Sequence, residues 1–145
     1  GGTAWYAAQR ATPDDIKKIR QCYDQIAHYQ LLGDDDEAAR ADARFHLAIA
    51  EASHNVVLIQ LMRSLFDLLQ FNVVLGRRKV YSEAHRFDQL HDQHFQVMDA
   101  IERQDPEAAR TAVCGHIEFV VQQVRMIDEE DARRQRASRL NRIAP

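Results

Sequence analysis

Apolar residues recur every three or four positions along most of the chain, and alternating β-branched runs are absent. That period is the one an α-helix uses to keep one face turned inward. The pattern and its punctuation predict six helices. The first is short, about 3–11, around Trp5, Tyr6, Ala7 and Ala8. Thr12-Pro13-Asp14-Asp15 opens the second with a side-chain cap, proline at the first helical position and acids in the first turn. Ile16, Ile19, Ile26 and Leu31 carry it over about 13–31, and Gly33 stops it. Asp34-Asp35-Asp36 caps a third helix, about 35–53, with Ala41, Phe45, Ala48 and Ile49 at helical spacing. Ser53-His54-Asn55 then breaks the pattern, and Asn55 suits an N-cap.

The fourth helix, about 56–79, is apolar on most faces from Val56 to Phe71. Such a helix lies at the centre of a bundle or under a partner subunit. Arg77-Arg78-Lys79 through Arg86 forms a polar connection to a fifth helix, about 85–103. Gln104-Asp105-Pro106-Glu107 repeats the cap-proline-acid grammar and opens a sixth, about 106–132. Beyond Asp128 the chain changes character. Arg133, Arg134, Arg136, Arg139 and Arg142 follow a run of four acids, Asp128 to Asp131, that offsets them. A solvated, fraying helix end is the preferred reading, ahead of a basic arm for nucleic acid.

Composition narrows the class. A chain of 145 residues is one ordinary domain, and 46% hydrophobic with 28% charged residues is a soluble mixture. No apolar run approaches the roughly 18 residues of a membrane span. Gly1-Gly2-Thr3-Ala4-Trp5 lacks the basic region and apolar core of a signal peptide, so a cytoplasmic location is expected. A net charge of −3 argues against a broad nucleic-acid grip by this chain alone. Cys22 and Cys114 stand far apart and make no CxxC pair, which suits a reducing compartment. The expected fold is all-α: an antiparallel helical bundle of about six helices, with residues 1–128 as one domain and 129–145 as a polar, Arg-rich tail.

Seven histidines invite a search for metal ligands. Asp42 and His46 are four apart on the third helix and so share one face. On its own that spacing is weak, since one such match is expected by chance about once per chain. His94 lies eleven residues before Asp105 and His116 eleven after it. If the fifth and sixth helices form a hairpin turning at Asp105, both histidines stand about 16 Å from the turn, at one height. With Asp42 and His46 they would give three nitrogens and one oxygen, a set that suits Zn2+ or a similar divalent ion in a bundle core. The spacing equally allows a surface Asp42, a hydrogen-bonded core His46 and half-exposed His94 and His116.

The stretch Asp42-Ala-Arg-Phe45-His46-Leu-Ala-Ile-Ala-Glu-Ala-Ser53-His54-Asn55 resembles the signature of the FCD domain. That domain is the effector-binding C-terminal part of FadR-subfamily GntR transcription regulators. Gln93-His94 through Asp105-Pro106, on to His116-Ile117, is similar to its last two helices. The resemblance covers about residues 1–128. It implies an Asp-x-x-x-His helix and two later histidines as ligands of a divalent ion, at Asp42, His46, His94 and His116. Zn2+ comes first, with Ni2+, Mn2+ and Fe2+ as alternatives. Many members carry glutamate before the third ligand, where this chain has Gln93.

What the resemblance implies for function is a sensor, not an enzyme. Its effector is a small 2-hydroxy or 2-keto acid, L-lactate ahead of glycolate or pyruvate. Asn55, Arg77 and Arg78 are candidates to hold the effector's carboxylate, though Asn55 could simply cap a helix and the arginines could be solvated. The resemblance also implies a homodimer, no membrane contact, and operator DNA reached only through a winged helix-turn-helix upstream of this chain, together with a first helix bearing an effector-binding arginine. Two other classes stand beside it. Glu51-Ala-Ser-His54 matches one Glu-x-x-His half of a di-iron bundle, but no second such motif follows. A metal-free dimerisation module would account for the apolar fourth helix alone.

Overall fold

Thr12, Asp34, Asn55 and Asp105 each stand at the foot of a helix and accept backbone N–H groups that no helical carbonyl can reach. Thr12 Oγ1 accepts from Asp15 N at 3.2 Å while Asp15 Oδ2 accepts from Thr12 N at 2.9 Å, a reciprocal capping box. Asp34 Oδ1 accepts from Glu37 N at 3.0 Å, and Asp105 Oδ1 from Ala108 N at 3.0 Å. The computed structural model describes the backbone of residues 1–69 and 84–143, and side chains over 1–66 and 88–139. Among these residues there are six helices and no strand: α1 (Gly2–Arg10), α2 (Pro13–Leu31), α3 (Asp35–Ala52), α4 (Val56–Leu69), α5 (Ala84–Glu102) and α6 (Pro106–Ile143). The predicted helix starts hold to within two residues.

A left-handed residue follows α2, α3 and α5. Gly33 takes φ +70° after α2, as its lack of a Cβ allows. His54 (φ +49°) and Gln104 (φ +55°) do the same after α3 and α5 without being glycine. Each of these costs about 1–2 kcal/mol, offset by the packing of the helices on either side.

The core gathers around the small face of α1. Ala4, Ala7 and Ala8 are fully buried, and methyl side chains let α3, α5 and α6 approach the short helix closely. α2 packs along α3 and also meets α5, while α5 and α6 form the hairpin predicted from Asp105. Ile19 and Ile26 of α2, Phe45 and Ile49 of α3, Val97, Met98 and Ile101 of α5, and Val113 of α6 complete one continuous cluster.

Two helices depart from the simplest reading. α4 leans chiefly on α3 and leaves Val57 75% and Leu61 61% exposed, together with Val56 and Leu65. Of the two environments expected for so apolar a helix, the centre of the bundle is therefore excluded within a single chain. α6 runs to Ile143 rather than ending near 132. At 38 residues it is about 57 Å long, twice its partner α5. The acidic and basic blocks of the tail are spaced to pair within one helix, as Glu129 and Arg133 do at 3.4 Å, and its alanines and arginines are good helix formers. No described helix is long and apolar enough to cross a membrane.

Truncating Ile26, which is fully buried, is expected to cost about 2–5 kcal/mol in urea denaturation. Leu31→Ala, at a site 88% exposed on the same helix, should stay within about 0.5 kcal/mol of the parent.

Candidate metal centre

α3 brings Asp42 and His46 to one face, one turn apart, because four residues complete slightly more than a turn. The hairpin brings His94 of α5 level with His116 of α6, as the equal separations from Asp105 require. All four side chains are buried, His94 completely. One ring nitrogen from each of His46, His94 and His116 lies within 4.8 Å of the others. Ring centroids are 4.5 Å apart for His94 and His116 and 5.1 Å for His46 and His116. Asp42 Oδ1 stands 3.0 Å from His94 Nε2 and 3.4 Å from His46 Nε2. The buried Nε2 of His46 makes no hydrogen bond. Phe45 packs edge-on against His46 and tilted against His94, closing the site with an apolar wall.

This donor set fits a divalent ion. Three imidazoles on three helices offer borderline nitrogens, and the adjacent carboxylate offers an oxygen. A buried nitrogen with no hydrogen bond is unfavourable, and an ion would give it a partner. His116 Nδ1 lies 3.2 Å from Gln93 Oε1.

The remaining candidates fall elsewhere. Asn55 Oδ1 accepts from Val57 N at 3.1 Å and Leu58 N at 3.3 Å, so its carbonyl caps α4. Arg77 and Arg78 lie outside the described residues. Glu51 and His54 do not join the histidine cluster. Glu51 receives Lys18 at 2.6 Å and Arg63 at 3.1 Å, and His54 pairs with Asp15 at 2.8 Å on the surface. Hydrogen bonding from Lys18, then from Arg63, holds the Glu51 carboxyl below its ordinary pKa, and the same bond raises Lys18. Burial of Asp15 opposes its ionisation, but hydrogen bonds from Thr12 and His54 outweigh it and lower its pKa. His91 is half-buried. It stacks on Tyr23 and bonds its hydroxyl at 2.6 Å, fixing α2 against α5 one turn from His94. Burial raises the Tyr23 hydroxyl and the Cys22 thiol above their usual ranges, so neither is an activated group.

Gln93 stands out in the sequence only through the resemblance, as the position where many members carry glutamate. Its placement follows from the same register argument as the histidines: the residue before His94 sits beside the hairpin seam, level with the turn of α6 that carries His116.

Fold and site together define an all-helical bundle with a polar site sealed between three of its helices. Residues 1–119 match the FCD domain model, and the chain belongs to that family. It is 48% identical over 138 residues to an Escherichia coli K12 protein named "Putative L-lactate dehydrogenase operon regulatory protein", covering 95% of this chain and 52% of that one. It is 30% identical over 137 residues to the Glc operon transcriptional activator of the same organism, covering 90% of this chain and 52% of the other. These relatives are transcription regulators, not enzymes, and the chain spans about half their length. The solved structure of E. coli McbR/YncC shares the fold with a TM-score of 0.71 at 16% identity, over 86% of this chain and 61% of that one.

The Glu51 network generates a pH prediction. Its depressed folded-state pKa means that its contribution is present above the ordinary value of 4.5 and is lost as pH falls through the lowered one. Lys18, with a raised pKa, loses its contribution only as pH rises through that raised value. Between about pH 5 and pH 3 the parent should lose stability more steeply than Glu51→Gln in chemical denaturation. Because the partners are partly exposed, the difference should stay below about 1 kcal/mol.

Proposed function

We propose that this chain is the effector-sensing and dimerising part of a GntR-family transcription regulator in the cytoplasm. Asp42, His46, His94 and His116 would hold a divalent ion, Zn2+ first, with Ni2+, Mn2+ or Fe2+ compatible with the same donors. The observation that carries this reading is the meeting of three buried histidines, from three helices, beside a buried aspartate. The effector class is a small 2-hydroxy acid, L-lactate ahead of glycolate and pyruvate. Support for L-lactate is the 48% identity to a relative whose name ties it to an L-lactate dehydrogenase operon.

When bound, the ion supplies a Lewis acid able to take a carboxylate oxygen and the neighbouring hydroxyl of such an acid. The chain's own residues do the rest. Asp42 leaves a centre of one carboxylate, three neutral imidazoles and a dication with one net positive charge, which favours an anion. Phe45 excludes water on one side. Asn55, Arg77 and Arg78 are the candidates for the acid's second oxygen, Asn55 through its amide N–H group because its carbonyl caps α4. Since α3, α5 and α6 each contribute a ligand, occupancy selects one arrangement of these helices. That arrangement would set the spacing of DNA-binding domains in a homodimer, which reads operator DNA through the upstream part of the protein.

A second reading, a metal-free dimerisation module, draws on one observation: the uncovered apolar face of α4. Metal analysis separates the two. Mass spectrometry of the purified protein should find about one ion per chain, lost in His46→Ala and in His116→Ala. A thermal scan should show stabilisation by L-lactate, glycolate or pyruvate that a chelator abolishes. At a concentration 100 times the dissociation constant the effector adds about 2.7 kcal/mol to the folded state. A protein with no ion and no response would leave the dimerisation module as the account of this domain.

A further inference from the structure

We infer that Gln93 is a positioning residue for the histidine centre: its side-chain carbonyl orients His116 so that Nε2 is the nitrogen presented to an ion. The inference rests on the metal reading and deepens it. A neutral imidazole ligates through a nitrogen that carries a lone pair, and its proton then sits on the other nitrogen. For His116 the other nitrogen is Nδ1, which lies 3.2 Å from Gln93 Oε1 across the α5–α6 seam.

An amide side chain can face an imidazole in two ways. With its carbonyl toward Nδ1, the ring donates Nδ1–H and keeps the lone pair on Nε2. With its NH2 group toward Nδ1, the ring accepts there and carries its proton on Nε2, where it blocks an ion. The side-chain amide of Gln93 lies within hydrogen-bond reach of Nδ1, and with its carbonyl toward the ring the pair is compatible with ligation. Carbonyl and carboxylate partners of this kind fix the tautomer and ring plane of ligating histidines and raise their basicity.

The placement is economical. Gln93 and His94 are neighbours on α5, so one turn of that helix sends His94 into the buried cluster and Gln93 sideways to the next ligand. Any shift of α5 along α6 would disturb both at once. Gln93 is also neutral. Among Asp42, His46, Gln93, His94 and His116, Asp42 alone is a carboxylate, which preserves the positive charge that draws an anionic acid.

The test is Zn2+ affinity of chelator-stripped protein, read by competition with a chromogenic chelator, with Co2+ absorption reporting the ligand field. Gln93→Leu and Gln93→Ala remove the acceptor and should weaken Zn2+ binding roughly 10–100-fold. Gln93→Glu restores an acceptor and should bind at least as tightly as the parent. Metal-free Gln93→Leu and Gln93→Ala should keep the parent's helical circular dichroism and melt lower only by the loss of one hydrogen bond. Rescue of Zn2+ affinity in Gln93→Glu is the readout that a merely structural role would not produce. Parent-like Zn2+ affinity in both Gln93→Leu and Gln93→Ala would overturn the role of Gln93 while leaving the metal centre intact. Equal weakening in Gln93→Glu would overturn it too, because packing rather than hydrogen bonding would then be the cause. A parent protein that binds no Zn2+ would remove the metal reading itself.

Discussion

Four polar side chains are buried where three helices of a small bundle meet, and this constrains everything around them. They are largely withdrawn from water, and a buried imidazole or carboxylate without a partner costs free energy comparable to a lost hydrogen bond or more. The structure meets the cost locally. Asp42 lies against two of the histidines, Gln93 meets Nδ1 of the third, and Phe45 seals the apolar side. That arrangement demands accurate register between α3, α5 and α6. Each register is set by a separate device: the one-turn spacing within α3, the Asp105 cap at the hairpin turn, and the Tyr23–His91 pair that fixes α5 against α2.

α1 serves the same constraint by being small. A nine-residue helix is too short to be stable alone in water, so packing must hold it. Its alanine face is what permits three larger helices to converge around it, since any bulkier side chain at Ala4, Ala7 or Ala8 would push them apart. Arg10 closes its end, donating to the Ser53 carbonyl and stacking over Tyr6. The start of the domain is thereby tied to the turn that joins α3 to α4.

Much of this was legible in the residues because it depends on local rules. Caps at Thr12, Asp34, Asn55 and Asp105 are one-residue signals with a fixed backbone consequence, and they located the helices. The equal offsets of His94 and His116 from Asp105 predicted their juxtaposition because helical rise is nearly constant. What escaped was non-local or ambiguous. The end of α6 was misplaced because its apolar period fades after Ile127, whereas the helix continues on charge pairs and propensity that carry no inward face. The burial of His91 has no local signal, because the stack that covers it comes from Tyr23, 68 residues away. Gln93 was visible only as a departure from the family's glutamate, since amides are ordinary on helix surfaces and its contact with His116 comes from another helix.

α3 joins the polar site to the face a partner would cover. It supplies two of the four clustered side chains, and its last turn carries Glu51, which Arg63 of α4 grips at 3.1 Å. Between them stands a short turn containing left-handed His54, held to α2 by Asp15. A displacement of α3 by a fraction of a turn therefore cannot be absorbed in a long flexible loop. It would be felt at the turn and at the Glu51–Arg63 pair, the contacts that tie α3 to α4, whose Val57 and Leu61 lie uncovered. Close packing in the core favours discrete alternative arrangements over smooth deformation. In a dimer built on α4, the same rigidity that holds the histidines in register would make their occupancy felt at the subunit boundary.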